Sequence, residues 1–496
     1  MLFSRRAGVI TAFLFSLLVS VGLHWNLFPL DIQGWHNWRQ SQTMWNVRNF
    51  VRYDNNIYNP RTSEFNGSND NLLRLEFPVM QWGIAQVARV TGEEVMTARI
   101  IVWIIGAVGL AGFFLLLLTL GFPPWLAVTG TVLLQFSPLF YFYTVSIIPD
   151  VLAHTAAIWY LYWMFGFFRD ERWWQAAAAA AALSLATLAK LPYAMFGIVG
   201  LVYVLSHLIR GGRLQQKPLG AGLLHLLLLY PAYRWYAWVM PTWGSSPTLT
   251  GIFGYQNNAE ENRRIFTFFW EQYIPYDLLS PAVWGLFIVG ALFPYARRVS
   301  VRYGVYVWSL AIVTIVYAIL QSNTITIVHD YYLLPFLPWM YIVITAGAGR
   351  LYHWLDRPGW RPVAILVLGV CAAGAAYAAW DLRQERFAEE IGAYYYDMKD
   401  IYPNVEALRA VTGEDEKVIV LNDRSAQIFT WLLRRRGYVF SGNSLPVAWI
   451  DDMHDNHGVD YLYSNTRTFE ADSAVQTRLG PLVLKAGEIH VYRLRD

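Results

Sequence analysis

Asp31-Ile-Gln-Gly-Trp-His-Asn-Trp-Arg-Gln40 begins one polar, tryptophan-rich segment of the chain. A second stretch, Leu75-Glu-Phe-Pro-Val-Met-Gln-Trp82, lies near the other end of the same segment. This segment, 31–97, lies between two apolar runs at 7–29 and 98–120. Each run is long enough to cross a bilayer, which takes about 20 apolar residues. A polar loop held between two spans predicts a membrane protein whose chemistry lies in its outward loops.

The composition also indicates a membrane protein. Of its 496 residues, 56% are hydrophobic and only 15% are charged, whereas about a quarter of the residues in soluble domains are charged. The formal net charge of +3 is small for this length, and the basic residues cluster in short loops. We therefore expect no nucleic-acid partner. The single cysteine, Cys371, excludes an internal disulfide.

Apolar runs of spanning length predict about eleven transmembrane helices. They lie near 7–29, 98–120, 125–146, 150–168, 173–190, 192–209, 219–239, 281–295, 303–320, 331–348 and 362–380. If Arg5 and Arg6 are cytoplasmic, the other basic loops fall on the same side, as the positive-inside rule requires. We therefore expect a multi-pass protein of the inner (plasma) membrane, with a cytoplasmic N-terminus and with loops 31–97, 240–280 and 321–330 facing outward.

Two domains are predicted. Residues 1–380 form the membrane domain, in which the outward loop 31–97 carries two interfacial helices at 35–50 and 79–90. Residues 381–496 form a small extracytoplasmic α/β domain, because β-type runs alternate there with helical patterns such as Ser425–Arg436. These runs are Lys417–Leu421, Gly437–Phe440, Val459–Tyr463 and Glu488–Leu494. Within this domain, Asp451–His457 has the spacing of a metal site, although acidic runs are more often solvated surface.

The first outward loop offers one set of candidate residues. In a helix over 35–50, His36, Arg39 and Gln40 fall at i, i+3 and i+4 and share one face, just after Asp31. Such a helix presents a cation and hydrogen-bonding groups above the lipid. The alternative is an amphipathic anchor that only rests in the headgroup zone.

A second set lies at the outward ends of other segments. Glu76 precedes Pro78 and a predicted helix, where an acid is also favoured as a helix-terminal charge. Asp150 and Lys190 end two spans, and each has a structural alternative, as a helix cap or as a snorkelling lysine. Ionisable residues at the membrane are functional hypotheses by default. His329, followed by Tyr331 and Tyr332, completes the set on the outward side.

These residue types suit a sugar linked to a lipid phosphate. A positive site of Arg39, Lys190 and His329 stabilises charge that develops on a leaving phosphate. A nearby carboxylate accepts the proton of an attacking hydroxyl. The sequence has no glycine-rich phosphate loop and no Asp-x-Asp in a soluble domain, so no nucleotide is expected.

Over roughly 7–348 the sequence resembles the integral-membrane glycosyltransferases of the GT-C superfamily. The similarity is to the family 39 type, which includes relatives of protein O-mannosyltransferases and lipid A aminoarabinose transferase. It rests on several motifs: Glu76-Phe-Pro, Arg99 at the second span, Pro149-Asp150, Ala189-Lys190 and His329-x-Tyr-Tyr-Leu-Leu-Pro335. The resemblance implies inverting transfer of a hexosyl or pentosyl group from a polyprenyl-phosphate donor to a glycan, lipid or protein acceptor.

The resemblance implies that four residues belong to the functional site: Glu76, Asp150, Lys190 and His329. Where that family has an acidic pair in the first loop, this sequence has Arg39-Gln40, so the catalytic carboxylate is expected to be Asp31, Glu76 or Asp150. No cofactor is required, and a divalent metal is compatible with the carboxylates although no spacing demands one.

Two other classes of function stay open. A transporter or flippase for lipid-linked sugars shares the aromatic and basic features, but it predicts charged or broken segments at mid-membrane and repeats in the two halves. A non-catalytic scaffold with an outward binding domain predicts no special role for Glu76.

Overall fold

The computed structural model describes residues 2–65, 70–211, 216–243, 258–293, 297–322, 325, 329–357 and 359–495. Contacts divide the chain into two compact units. The first, which we call the helical unit, comprises Met1–Pro29, Leu75–Met80 and Ala98–Gln384. The second, the mixed unit, comprises Leu30–Arg74, Gln81–Thr97 and Glu385–Asp496. The sequence-based division placed all of 31–97 in the membrane domain, whereas most of that loop contacts the C-terminal residues.

Up to residue 387 the structure is helical. The α-helices are α1 (Leu2–His24), α2 (Asn37–Arg52), α3 (Val79–Thr91), α4 (Glu94–Thr119), α5 (Pro124–Gln135), α6 (Pro138–Tyr143), α7 (Asp150–Asp170), α8 (Trp173–Ala189), α9 (Ile198–Gly211), α10 (Gln216–Val239), α11 (Ala259–Phe268), α12 (Trp284–Leu292), α13 (Arg297–Leu320), α14 (Leu337–Trp354) and α15 (Arg361–Phe387). Short 3-10 helices occupy Trp25–Leu27, Leu191–Gly197, Met240–Trp243 and Asp330–Phe336, and a π-helix occupies Phe269–Leu278.

Within the described ranges, seven helical segments are long and apolar enough to cross a membrane. They are Gly8–Leu27, Glu94–Thr119, Asp150–Asp170, Leu191–Ile209, Tyr303–Leu320, Asp330–Trp354 and Arg361–Arg386. The chain is therefore a multi-pass membrane protein, as predicted. Parts of the predicted outward loops 240–280 and 321–330 lie outside the described residues, at 244–257, 323–324 and 326–328.

The other four predicted spans are helical but do not meet that criterion. The run 125–146 is divided into α5 and α6, because Pro138 lacks the amide hydrogen that would continue the helix. The run 173–190 is the 17-residue helix α8, and the nine-residue helix α12 lies in the described part of 281–295. The run 219–239 lies within α10.

Helices α12 and α14 pack through two glycines. A Cβ atom added at Gly290 would lie 1.9 Å from the carbonyl oxygen of Val343, and one added at Gly347 would lie 1.8 Å from that of Leu286. Small residues let helix backbones approach this closely in membranes. These two positions therefore fix the contact between α12 and α14.

The mixed unit contains one five-stranded sheet. Its strands are β1 (Lys417–Leu421), β2 (Gly437–Phe440), β3 (Val459–Ser464), β4 (Leu479–Ala486) and β5 (Ile489–Leu494), in the order β2-β1-β3-β5-β4. β1 pairs in parallel with β2 and β3, and β5 pairs antiparallel with β3 and β4. The C-terminal α/β prediction is confirmed.

Short helices surround this sheet. The α-helices are α16 (Tyr395–Met398), α17 (Val405–Arg409), α18 (Ile428–Leu433), α19 (Val447–Asp455), α20 (Arg467–Glu470) and α21 (Ser473–Gln476), and 3-10 turns occupy Glu389–Ile391 and Tyr402–Asn404. Apolar side chains from β1, β3 and β5 pack against α18 to form one of its cores.

The first loop is built into the mixed unit. The backbone of Ser63 to Phe65 pairs with Gly437 of β2, through Gly437 N to Ser63 O at 2.9 Å and Phe65 N to Gly437 O at 3.1 Å. Helix α2 is buried along most of its length, and its Trp45 ring lies 5.8 Å from that of Trp431. This burial differs from the predicted interfacial helix that presents its polar face above the lipid, because contacts with the C-terminal residues cover its polar and aromatic side chains.

Candidate active site

A buried ion pair lies where two helices of the helical unit begin and end. Asp150 is the first residue of α7, and Lys190 follows the last residue of α8 in extended conformation. Pro192, near the start of the following 3-10 helix, is disfavoured inside a continuous α-helix. The Lys190 Nζ atom lies 3.5 Å from Asp150 Oδ2, and the two side chains are 12% and 1% exposed.

Two tyrosine rings flank the lysine. Lys190 Nζ lies 5.3 Å from the centroid of the Tyr331 ring and 5.0 Å from that of Tyr332, within the range of a cation–π contact. His329 Nδ1 lies 3.0 Å from the Tyr331 hydroxyl. The structure thus brings together five of the predicted residues, Asp150, Lys190, His329, Tyr331 and Tyr332, and Tyr331 contacts both the lysine and the histidine.

A second carboxylate fixes the segment that carries these tyrosines. Asp330 is fully buried and its Oδ1 accepts a hydrogen bond from the Tyr143 hydroxyl. The Tyr143 and Tyr331 rings meet edge to face at 6.1 Å. Sequence reasoning did not select Asp330 or Tyr143, although Asp330 stands next to His329.

Glu76 is anchored at the same end of α8. The Phe77 amide donates to the carbonyl of Leu188 at 3.0 Å, two residues before Lys190. The Trp235 indole donates to the Leu75 carbonyl at 3.0 Å. Tyr236 of α10 donates to the Leu188 carbonyl at 3.2 Å and interacts electrostatically with both Glu76 and Asp150. Glu76 therefore belongs to the same group of residues as the Lys190–Asp150 pair.

Tyr193 is a further member that sequence reasoning missed. It is 1% exposed, and its hydroxyl has no hydrogen-bond partner among the described residues. It interacts electrostatically with Asp150 and Tyr317. The feature of the sequence that could have identified Tyr193 is its position three residues after Lys190, in the segment interrupted by Pro192.

Asp31 belongs to the mixed unit, where it forms structural contacts. Its carboxylate accepts hydrogen bonds from Arg434 Nη2 at 2.7 and 2.9 Å and from the Trp431 indole at 3.1 Å. Burial alone would raise the pKa of Asp31, but the Arg434 charge and these hydrogen bonds lower that pKa below its ordinary value. One guanidinium nitrogen of Arg434 thus contacts both carboxylate oxygens, in a charge-assisted ion pair.

His36, Arg39 and Gln40 also belong to the mixed unit and are buried there, with 2%, 5% and 0% exposure. The Gln40 amide donates to the Trp35 carbonyl at 3.2 Å, and Arg39 donates to Gln42. His36 adopts a left-handed conformation just before α2. These contacts show packing within the mixed unit, and substrate binding by the three residues stays a prediction.

No group of three or more His, Cys, Asp and Glu side chains in the described part of the chain is arranged to hold a metal ion. In the segment Asp451–His457, His457 Nε2 lies 3.4 Å from Asp452, whereas His454 lies 3.7 Å from Asp460. The two histidines thus have different carboxylate neighbours. A divalent metal stays an untested possibility.

Comparisons with known proteins identify a family model and a fold. Residues 76–235 match the family model described as dolichyl-phosphate-mannose-protein mannosyltransferase, a range that contains Glu76, Asp150 and Lys190. The search of curated proteins finds no match.

Solved structures show the same fold over nearly the whole chain. ArnT from Cupriavidus metallidurans in the apo state is 14% identical, with a TM-score of 0.66 and coverage of 98% of both chains. The oligosaccharyltransferase AglB from Archaeoglobus fulgidus is 11% identical, with a TM-score of 0.54 and coverage of 93% of this chain and 69% of its own. The arabinofuranosyltransferase AftD from Mycobacteria is 12% identical, with a TM-score of 0.55 and coverage of 99% and 40%. The chain therefore has the GT-C fold of membrane glycosyltransferases, as its sequence motifs predicted.

Proposed function

We propose that the protein is a glycosyltransferase that moves one sugar from a polyprenyl phosphate to an acceptor on the outward face of the inner membrane. The observation that carries this proposal is the buried Lys190–Asp150 pair, with Tyr331 and Tyr332 beside it and Glu76 anchored at the same helix end. ArnT has been solved with undecaprenyl phosphate and AglB with a dolichol-phosphate, and these structures support a lipid-phosphate donor.

Lys190 is assigned to the donor phosphate. As the bond between the anomeric carbon and the phosphate oxygen breaks, negative charge grows on the phosphate, and a cation fixed in a site with little water stabilises that charge. Asp150 orients the lysine and compensates its charge, because a buried ammonium is stabilised by a paired anion. His329, which contacts the Tyr331 hydroxyl, is assigned a further hydrogen bond to the donor.

Glu76 is assigned to the acceptor. In a single displacement the acceptor hydroxyl oxygen bonds to the anomeric carbon from the face opposite the phosphate, so the configuration inverts. The carboxylate takes the hydroxyl proton, and the bonding electrons of the broken bond leave with the polyprenyl phosphate. Asp31 is assigned a structural role, since Arg434 and Trp431 already occupy its carboxylate.

The donor sugar is a hexosyl or pentosyl group, and the acceptor is a glycan, a lipid or a protein. The proteins that share this fold include ArnT, an oligosaccharyltransferase tethered to an acceptor peptide and an arabinofuranosyltransferase. This range supports the reaction class and leaves the two substrates to experiment.

The test is mass spectrometry of lipids and surface glycans from a strain that lacks the gene. We expect one sugar to be lost and to be restored by the intact gene but not by Glu76→Gln. Restoration by Glu76→Gln at the wild-type level would remove Glu76 from the mechanism. An unchanged glycan profile in the deletion strain would instead contradict sugar transfer as the function.

A further inference from the structure

The mixed unit contains a cavity of about 500 Å³ that the proposed reaction does not use. This volume falls in the range of small-molecule sites. Its walls come from β2, α19 and the first-loop segment that pairs with β2. They include Glu64, Tyr438, Phe440, Trp449, Asp452 and Met453.

One wall is aromatic and open to solvent. The rings of Phe440 and Trp449 lie 5.9 Å apart at an angle of 38°, and Trp449 is 56% exposed. A tryptophan normally contributes much of its area to a core or an interface. Here the indole offers a flat face beside the cavity that a ligand can cover.

Two carboxylates, those of Glu64 and Asp452, make another part of the cavity wall polar. The backbone pairing of Ser63 and Phe65 with Gly437 holds Glu64 beside β2. Asp452, on α19, accepts a hydrogen bond from Asn456 at 2.7 Å and lies 3.4 Å from His457 Nε2. The described lining of the cavity has no lysine or arginine, so the site is unsuited to a phosphate or another anion.

The pKa of Glu64 decides whether its side chain only accepts hydrogen bonds or also donates one. Burial, together with the charge of Asp423, raises the pKa of Glu64 to about 7. Near neutral pH the side chain therefore exists in both forms. The ionised form accepts hydrogen bonds, and the protonated form also donates one.

We propose that this cavity binds a neutral saccharide, as the recognition site for a glycan acceptor of the proposed transferase. A pyranose has an apolar C–H face and a rim of hydroxyls. The C–H face fits the electron-rich face of Trp449, and the hydroxyls donate to the carboxylates of Glu64 and Asp452. This inference rests on the proposed function only in naming the saccharide as the acceptor.

The test is direct binding to the full-length protein in lipid nanodiscs. The probes are neutral di- and trisaccharides of glucose, galactose, mannose and rhamnose, and binding is followed by calorimetry and tryptophan fluorescence. We expect at least one probe to bind, and Trp449→Ala and Glu64→Gln each to weaken its binding at least tenfold. Tyr396→Ala is the matched control, because Tyr396 is an aromatic of the same unit that is 82% exposed and outside the cavity.

Two results would overturn the inference. One is that no probe binds the wild-type protein. The other is that a probe binds but neither substitution changes its affinity, or that Tyr396→Ala lowers its affinity equally. Binding of undecaprenyl phosphate, measured on the same samples, should not change in Trp449→Ala. Failure of the saccharide site is thus separable from failure of the proposed donor chemistry.

Discussion

At the scale of single residues, the proposed donor site depends on the pairing of Asp150 with Lys190. Asp150 is 1% exposed and lies 3.5 Å from the lysine nitrogen. Removing one partner of a buried ion pair leaves an uncompensated charge, which favours the neutral form of the other. A neutral Lys190 would lose its attraction for phosphate.

We therefore predict that Asp150→Asn weakens binding of undecaprenyl phosphate about tenfold and lowers sugar transfer by about a hundredfold. Isothermal titration in nanodiscs and a transfer assay measure the two effects. Unchanged binding in Asp150→Asn would show that the lysine does not need this carboxylate.

Asp31 is predicted to stabilise the mixed unit rather than to catalyse. Its folded-state pKa is lowered, mainly by Arg434 acting against burial, so its contribution to stability is present above its ordinary pKa and is lost as pH falls through the lowered value. Its side chain is 39% exposed, so screening limits the contribution to about 1 kcal/mol.

We expect Asp31→Asn to lower the melting temperature at pH 7, with transfer per folded molecule preserved. The difference from wild type should shrink in strong acid. Glu406→Gln is the control, since the side chain of Glu406 is 88% exposed and pairs with Arg409. Loss of transfer without loss of stability would return Asp31 to the list of catalytic carboxylates.

The pH dependence of stability that Glu64 contributes has the opposite sign to that of Asp31. Its pKa is raised to about 7, so the folded state resists its ionisation and loses stability as pH rises from about 4.5 to 7. Each pKa unit corresponds to about 1.4 kcal/mol at most. Glu64→Gln should therefore raise the melting temperature at pH 8 and leave it unchanged at pH 4.5. A gain of equal size at both pH values would contradict this explanation.

At the scale of elements, the contact between α12 and α14 should tolerate no side chain at Gly290. A Cβ there would lie 1.9 Å from the Val343 carbonyl oxygen. Overpacking of this kind costs about 1–3 kcal/mol. Gly290→Ala should lower the melting temperature, whereas Gly285→Ala in the same helix should not, because a Cβ at Gly285 meets nothing within 4 Å. Equal effects of the two substitutions would argue against this close approach.

Local sequence patterns predicted most elements. Strands β1 and β2 have the predicted bounds, and β3 and β5 differ by one residue at one end. β4 was missed because Gly480 and Pro481 interrupt its apolar pattern, and proline is typical of edge strands. The division of the run 125–146 was missed because apolar composition alone does not reveal where Pro138 starts a new helix.

At the scale of the whole molecule, the limits of sequence reasoning follow from long-range contacts. Ionisable residues at the membrane are functional hypotheses by default, so Glu76, Asp150, Lys190 and His329 could be selected. Tyr143 and Tyr193 could not be selected, since the sequence has 31 tyrosines and only the fold distinguishes these two. The placement of Glu64 depends on pairing between Phe65 and Gly437, which no local pattern encodes.

We propose that Lys190 stabilises the phosphate that leaves when the bond between the sugar and the polyprenyl phosphate is cleaved. The most direct measurement is release of undecaprenyl phosphate from a panel of undecaprenyl-phosphate hexoses and pentoses, by purified protein in nanodiscs with a membrane extract as acceptor source. Lys217→Ala is the control, because Lys217 forms an exposed pair with Glu171.

We expect the wild type and Lys217→Ala to release undecaprenyl phosphate from at least one donor at similar rates, and Lys190→Ala to be slower by about a hundredfold or more. Equal release by Lys190→Ala and the wild type would contradict the assigned role of Lys190. Donor binding without release by the wild type would contradict the transferase itself.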